Sequence, residues 1–537
     1  MEINSIYDQF LAAQQAWPKN LCLRFEQKTW NYTQVLHEID KAASKLVDLG
    51  VKRGDIVACS LPNCPESIYL FYAISKIGAI SYNIHPLTTP YEMKTFIERS
   101  GAKFLIAIAL NAEKFRRALK DDVKVVYVNP YRGVNLIKAI GLYFMGLHHK
   151  GLYYYHKLKT HIKTERVIVN KEDDSVYLNT GGTNGRPKIA RLNNVSINHL
   201  AKKTYPLLID GKREKIKMLC AIPLFHGFGL AMGIHTPLTH GASTCLMLSF
   251  RTKMAIKHIR KAEATTIIGV PALYNALLSR PKFYGPHLKE QIIAFIGGDS
   301  VPSSILDRWN HAMNEWGSEA RLYQGYGLTE TVNVTNVNFK NNNKDGTVGK
   351  PLPGIKEIIV TPNTDEVLKT GENGELLISG DCLMNGYLND EELNKHAFTI
   401  IDGTRYYRTT DYGHIDEDGY FTFKNRLRRT VKISGETMCP SDVEDVIISI
   451  PEIYEAYCYG VKNERKGHVL RLAIVINKNC KLTEGEVIAK CYQTIGEKLN
   501  PSYMPDKVLI IDKLPRTAIG KVDPVAFKQI TGGEELE

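Results

Sequence analysis

The sequence has no run that approaches the roughly 20 consecutive apolar residues a membrane-crossing helix requires, so no spanning helix is expected. Nor does it begin like an exported chain. Glu2 and Asp8 stand where a basic start and an apolar block would be, and no signal peptide is expected. Ten cysteines, among them Cys22, Cys59, Cys64, Cys220 and Cys439, form no CxxC pair and have no histidine spacing that would build a zinc site. Scattered thiols without a framework fit a reduced, cytoplasmic compartment. Proline (23) and glycine (41) are spread along 537 residues, and 44% apolar with 23% charged residues is ordinary for a globular chain, which excludes wholesale disorder. No repeat of solenoid period is present, and the acidic residues 532–537 carry no lipidation box.

At roughly 100 to 200 residues per domain the length allows about two to four domains. Lys and Arg (69) exceed Asp and Glu (57), leaving +12. That balance suits an anionic ligand, nucleic acid or an acidic membrane surface, and does not choose among them.

Thr89, Pro90 and Glu92 read as an N-cap, a first-turn proline and a capping-box acid, so a helix is expected from there to about Gly101. Residues 104–109 and 123–128 read as short apolar strands with a helix, 111–119, between them. The alternation recurs at 217–222, 264–270 and 291–296, which predicts an α/β fold with largely parallel sheets in one or more large layers. Past about residue 345 short strands with Gly and Asn turns predict a β-rich subdomain, with Asp418-Gly419 as a hairpin turn. After Arg426 a smaller α+β unit is expected, with strands at 457–461 and 470–476 and a helix capped by Thr483 and Glu486. The domains expected are therefore 1–426 and 427–537. Residues 131–166 mix apolar side chains with many Lys and His and the run Tyr153-Tyr154-Tyr155. They read either as a membrane-surface segment or as an amphipathic helix pair packed on the domain.

After the strand-like residues 175–179 comes Thr180-Gly181-Gly182-Thr183-Asn184-Gly185-Arg186-Pro187-Lys188. Glycines let backbone N–H groups close round an anion, hydroxyls add donors and Lys188 adds a point charge, a combination suited to polyphosphate. It is not a Walker A loop, which ends in Gly-Lys-Ser/Thr. Alone it reads equally as a structural turn. It is followed in order by Pro223-Leu224-Phe225-His226-Gly227-Phe228-Gly229, Gly269-Val270-Pro271, Gly297-Gly298-Asp299 and Tyr323-Gln324-Gly325-Tyr326-Gly327-Leu328-Thr329-Glu330. Then come Gly374-Glu375-Leu376, Tyr407-Arg408-Thr409-Thr410-Asp411, Asn425-Arg426-Leu427-Arg428, residues 432–436 and Pro515-Arg516-Thr517-Ala518-Ile519-Gly520-Lys521.

This ordered set, over nearly the whole chain, resembles the adenylate-forming superfamily of acyl-CoA synthetases, luciferases and peptide-synthetase adenylation domains. The resemblance implies a large N-terminal domain and a small mobile C-terminal domain, with ATP, Mg²⁺ and coenzyme A as the cofactors. The implied chemistry needs no general base, because a carboxylate is already ionised at pH 7. What it needs is positive charge and placed donors where two anions meet.

By the same resemblance, residues 180–188 (Thr180, Gly181, Gly182, Thr183, Gly185 and Lys188) hold the β- and γ-phosphates. Thr329 holds an α-phosphate oxygen and Glu330 the Mg²⁺. Tyr326, beside Gly327, offers a face to adenine, with Gly298 and Asp299 on the other side of the slot. Asp411 accepts from the ribose hydroxyls and Arg426 reaches ribose or phosphate. Lys521 bridges the substrate carboxylate and the α-phosphate, and His226 borders that carboxylate. Lys432, Ser434 and Gly435 face the site in a second state, where backbone guides a pantetheine thiol. Without the resemblance each residue has an ordinary reading: a helix cap for Thr329, a solvated acid for Glu330, a core ring for Tyr326 and His226, a turn acid for Asp411, an exposed lysine for Lys521. The sequence departs from the family at Arg428, where the hinge usually has Asp or Lys, at Asn184 for Thr and at Asp442 for Glu.

Residues 225–229 contain no acid that would pair a substrate ammonium, so an uncharged aliphatic or aryl acid is favoured. Gly227, Gly229, Gly297 and Gly298 are expected to leave space for its tail. No carrier domain is expected after Lys521, so coenzyme A is the simplest acceptor expected, with the pantetheine arm of a separate carrier protein as the alternative and luciferase-like oxidation a remote third. A membrane-docked, non-catalytic nucleotide binder is a reading of another class, opposed by Lys188, Glu330, Asp411 and Lys521. A nucleic-acid partner is not expected, since the basic residues form no readable binding motif.

Overall fold

Local signals set much of the architecture of this computed structural model. It describes residues 2–128, 153–180, 188–208, 215–298, 301–340, 342–427, 431–433, 436–438, 440–463, 467–499, 501–516 and 522–531. Thr89 caps the helix Pro90–Ser100 through a reciprocal bond with Glu92, and Gly101 ends it in the left-handed region at φ 69°. Strand Phe104–Ile108, helix Ala109–Ala118 and strand Lys124–Val128 follow, as the alternation predicts. Contacts divide the chain into two units, 1–356 with 378–407, and 357–377 with 408–537.

The first unit holds two largely parallel sheets. In the eight-stranded one, strands from Asp174–Thr180 to Tyr153–Tyr154 run parallel, while Lys188–Asn193 and Gly386–Tyr387 are added antiparallel at the other edge. In the nine-stranded sheet the parallel strands Lys217–Cys220, Thr266–Gly269, Ile293–Ile296 and Leu322–Tyr326 lie side by side. Parallel strands are buried on both faces, and Ile267, Ala294 and Leu322 accordingly join Trp309 and Phe283 in one core cluster.

After strand Lys217–Cys220 comes a π-helix, Phe228–His235, every residue of which is buried. Two glycines let it pack: a Cβ at Gly229 would stand 2.3 Å from the Pro223 carbonyl oxygen, and one at Gly233 would stand 2.5 Å from Cys220 Sγ. His235 closes it. Its Nε2 lies 2.9 Å from Asn198 Oδ1, an acceptor, so Nε2 carries the hydrogen and Nδ1 accepts from the Tyr72 hydroxyl at 3.2 Å. Burial pushes the His235 pKa down to about 3, helped by His240 and Lys202. The unfolded chain therefore binds a proton that the folded chain refuses between about pH 6.5 and 3, and stability falls as pH falls through that window. His235→Gln is expected to remove up to about 1.4 kcal/mol of that loss per pH unit, measured as the pH dependence of urea unfolding for the two proteins.

Residues 131–152 lie outside the described residues. In the rest of the basic aromatic segment Tyr153–Tyr154 is strand, Tyr155–Lys157 a 3₁₀ turn and residues 158–166 irregular, so the expected helix pair is corrected there. It packs on the domain: the Lys45 ammonium sits 3.9 Å from the Tyr155 ring centre, the Lys159 amide donates to Asp48 at 3.0 Å, and Arg166 pairs with buried Asp8 at 2.8 Å. Among the described residues no helix is long and apolar enough to cross a membrane.

In the second unit residues 411–415 pair antiparallel with Phe421–Arg426, joined through Gly419 at φ 83°. A three-stranded sheet, Ile453–Asn463, Gly467–Ile476 and Lys507–Ile510, meets helices Pro440–Ile448 and Glu484–Lys498. Leu472, Ile474, Val443, Ile447, Val487 and Ile495 form their shared core, and Thr483 and Glu486 cap the second helix reciprocally.

Candidate active site

Strand Asp174–Thr180 and strand Lys188–Asn193 are antiparallel neighbours in which Thr180 is paired with Lys188. The Gly/Thr-rich turn is thus pinned at its base, although Gly181, Gly182, Thr183 and Gly185 lie outside the described residues. Thr180 Oγ1 is buried and has no hydrogen-bond partner among the described residues, the kind of orphan a bound anion would satisfy. The Lys188 ammonium lies 5.1 Å from the centre of the Tyr387 ring.

Glu330 sits in a 3₁₀ turn, Thr329–Thr331, that follows strand Leu322–Tyr326. The turn leaves through Val332 at φ 60° and Asn333 at φ 100°, left-handed conformations that a β-branched residue rarely adopts. The Glu330 side chain is buried and accepts from the Tyr387 hydroxyl at 2.9 Å, and its backbone carbonyl accepts from the Met384 amide at 2.9 Å. Lys188, Glu330 and Tyr387 are therefore brought together. Tyr387 carried no separate signal in the sequence, because a tyrosine after a glycine in a β-rich stretch reads as core.

Tyr326, Gly327, Gly297 and Gly298 line a pocket whose other walls include Phe228, Met232, Phe295, Ile296 and Val337. The glycines have different reasons. A Cβ at Gly327 would stand 1.6 Å from the Asn333 carbonyl oxygen and one at Gly297 2.7 Å from the Gly325 carbonyl oxygen, whereas Gly298 has φ 82° and faces more open space. Gly227 and Gly229 are not part of this wall; Gly229 makes room for the Pro223 carbonyl rather than for a ligand. His226 is half-buried, its ring centre 4.8 Å from that of Phe225. Met232, four residues after Phe228 and on the same helical face, lines the wall with it, and escaped notice in the sequence because an apolar residue in an all-apolar run reads as core.

In the second unit Asp411 and Arg426 are cross-strand partners. The Asp411 carboxylate is 1% exposed and 3.3 Å from Arg426 Nε. Thr410, just before it, has φ 58°. Lys432 belongs to a small hairpin, paired with Thr437. Asp299, Arg428, Ser434, Gly435 and Lys521 lie outside the described residues. The loop that carries Lys521 is nevertheless closed at its base, where Arg516 bridges Val522 and the Asp523 amide donates to the Pro515 carbonyl at 2.9 Å.

The family described as AMP-binding enzyme matches residues 10–388, and its C-terminal domain, AMP-binding enzyme C-terminal domain, matches residues 442–521. The chain belongs to the AMP-binding enzyme family. The family's reaction is formation of an acyl adenylate and then a coenzyme A thioester, which makes this chain an AMP-forming acid–thiol ligase. A long-chain-fatty-acid–CoA ligase of Bacillus subtilis (strain 168) is 26% identical over 527 residues, 94% of this chain and 91% of that protein. An oxalate–CoA ligase of Arabidopsis thaliana is 27% identical over 504 residues, 91% of each. Among solved structures, an o-succinylbenzoate coenzyme A synthetase from Bacillus subtilis in complex with ATP and magnesium ion superimposes with TM-score 0.78 at 23% identity, covering 96% of this chain and 98% of that one. That likeness establishes the fold.

The residues fit the family's cofactors. Glu330 offers one buried carboxylate, and among the described residues no three His, Cys, Asp or Glu side chains cluster into a metal cage. A single carboxylate that shares its cation with nucleotide phosphates is a donor set suited to Mg²⁺. The orphan Thr180 hydroxyl and Lys188 suit the phosphates themselves.

Proposed function

We propose that this family member activates a monocarboxylic acid with an uncharged, apolar tail, fatty or aryl, and transfers the acyl group to coenzyme A. The observation that carries this reading is the cavity wall. Among its described residues there is no Lys, Arg, His, Asp or Glu, and Phe228, Met232, Phe295, Ile296, Val334 and Val337 dominate it. An apolar tail gains roughly 0.8 kcal/mol per methylene buried there, while a second carboxylate left unpaired in it would cost several kcal/mol. The reading thus favours the fatty-acid ligase among the relatives over the oxalate ligase.

In the proposed reaction residues 180–188 hold the β- and γ-phosphates through backbone N–H groups, hydroxyls and the Lys188 ammonium. Thr329 donates to the α-phosphate, Glu330 holds Mg²⁺, Asp411 and Arg426 hold the ribose, and Tyr326 with Gly298 and Asp299 flanks adenine. Mg²⁺, when bound, neutralises phosphate charge. Lys521 places a cation between the two reacting anions, and His226 borders the acid's carboxylate. Division of labour between 1–426 and 427–537, with Arg428 at the pivot and Lys432, Ser434 and Gly435 turned to the site for thiol transfer, belongs to the same proposal. So does a reduced, cytoplasmic setting, supported by the buried free thiols Cys22, Cys59, Cys64 and Cys220.

The test is acid-dependent AMP release with ATP and Mg²⁺ over aliphatic acids of graded length, aryl acids and dicarboxylic acids, with and without coenzyme A, products read by mass spectrometry. Acyl-CoA from monocarboxylic acids, with dicarboxylic acids at least about 10³-fold poorer in kcat/KM, is the expected result. Acyl adenylate that coenzyme A does not accept would move the acceptor to a carrier protein. Met232→Ala removes about three heavy atoms from the wall and is expected to raise kcat/KM about tenfold for an acid two carbons longer than the wild-type optimum.

A further inference from the structure

Tyr387 is used twice by its neighbours. Strand Gly386–Tyr387 lies antiparallel to Lys188–Asn193, with Tyr387 opposite Ala190. Lys188 is two residues from Ala190 on the same strand, so Lys188 and Tyr387 share a face as diagonal neighbours. That register puts the Lys188 ammonium 5.1 Å from the Tyr387 ring centre, within the range at which a ring face attracts a cation. The other end of the side chain does something else. The phenol donates to Glu330 Oε1 at 2.9 Å, and its oxygen lies 3.1 Å from the Tyr407 hydroxyl. A phenol has one hydrogen. Since that of Tyr387 goes to Glu330, the Tyr407 hydroxyl is the donor to Tyr387, and the three groups form a one-way relay that ends on the carboxylate. All three side chains are buried, at 5%, 3% and 9% exposure for Tyr407, Tyr387 and Glu330, where a chain of such bonds is least weakened by water.

We propose that Tyr387 is a positioning residue that sets the distance between the phosphate-binding cation and the metal-binding carboxylate: its face seats Lys188, and its hydroxyl, driven by Tyr407, fixes the rotamer of Glu330. The inference rests on the reading of Glu330 as the Mg²⁺ carboxylate. A carboxylate has about four lone-pair sites, so one phenolic donor orients it and leaves acceptor capacity for a cation. Restraining it beforehand removes ordering that metal binding would otherwise have to impose. Ring and hydroxyl make separable predictions, because phenylalanine keeps the face and loses the donor.

The full-length enzyme is compared with Tyr387→Phe, Tyr387→Leu, Tyr407→Phe and Glu330→Gln in two measurements. One is binding of Mn²⁺ in the presence of a non-hydrolysable ATP analogue, followed by electron paramagnetic resonance. The other is binding of the same analogue in EDTA, by calorimetry. Tyr387→Phe is expected to weaken Mn²⁺ about tenfold and to leave metal-free nucleotide binding within about twofold. Tyr387→Leu is expected to weaken both, and Tyr407→Phe to weaken Mn²⁺ about two- to threefold. Unchanged Mn²⁺ binding in Tyr387→Phe, or equal losses with and without metal, overturns the proposal. Should Tyr387→Phe not fold, Tyr407→Phe decides: no shift in Mn²⁺ binding overturns the relay. Glu330→Gln separates the two levels. If it leaves Mn²⁺ binding unchanged, the metal reading of Glu330 falls; if it weakens Mn²⁺ and Tyr387→Phe does not, only the role of Tyr387 falls.

Discussion

Lys521→Ala is expected to lower ATP–pyrophosphate exchange driven by the acid substrate by about 10³-fold, while thioester formation from a supplied acyl adenylate stays within about tenfold of wild type. The first half-reaction brings a carboxylate to a phosphate, two anions that repel until a cation stands between them. In the second half-reaction a thiol attacks an adenylate already made, and that repulsion is gone. An ammonium on a tethered loop meets the first demand if the loop is held. Its base is held by the Arg516–Val522 bridge, the Asp523 amide on the Pro515 carbonyl, and the ion pair from Arg516 to Glu455 at 2.7 Å. Lys521→Arg keeps the charge on a planar fork and is expected to recover only part of the exchange rate. Exchange unchanged in Lys521→Ala would remove Lys521 from the adenylation step; equal loss in both half-reactions would make its role structural.

The fold was legible where the signal is local. Thr89 and Glu92, and again Thr483 and Glu486, cap helices as their spacing requires, and the short apolar runs near 104, 124, 217, 266 and 293 are the parallel strands. Their ends were less legible, since strand 264–270 contracts to Thr266–Gly269 once its flanks meet other elements. The π-helix Phe228–His235 has no signature of its own. Its all-apolar sequence fits any buried helix, and only the close approach of Gly229 to Pro223 and of Gly233 to Cys220 explains the two glycines.

The candidate site divides the same way. The charged candidates, Lys188, Glu330, Asp411 and Arg426, could be proposed from ordered motifs, and the structure places Lys188 with Glu330 through Tyr387 and Asp411 with Arg426 across two strands. The groups that orient them could not. Tyr387 and Tyr407 act through hydrogen bonds across 57 and 20 residues of sequence separation, to Glu330 and to each other. Such partners are set by strand register, which the sequence around either tyrosine does not encode.

Glu330→Gln is expected to lower adenylate formation by about 10² to 10³-fold and to raise the Mg²⁺ concentration needed for half-maximal rate. The substitution is nearly isosteric, and the amide oxygen can still accept from the Tyr387 hydroxyl, so the turn Thr329–Thr331 should keep its shape. Stability should move the other way. A carboxylate that is 9% exposed and receives a neutral phenolic donor is desolvated, with no ion-pair partner among the described residues. Replacing it with an amide relieves part of that cost, so the metal-free variant should unfold at the same temperature as wild type or slightly above it. Mg²⁺ with ATP should stabilise wild type more than the variant, because a ligand raises stability in proportion to its differential binding to the folded state. Thermal unfolding with and without Mg²⁺ and ATP, set beside the exchange assay, separates a residue kept for charge from one kept for packing. Lower activity with undiminished metal-free stability identifies the first; a parallel fall in both identifies the second and removes Glu330 from the metal site.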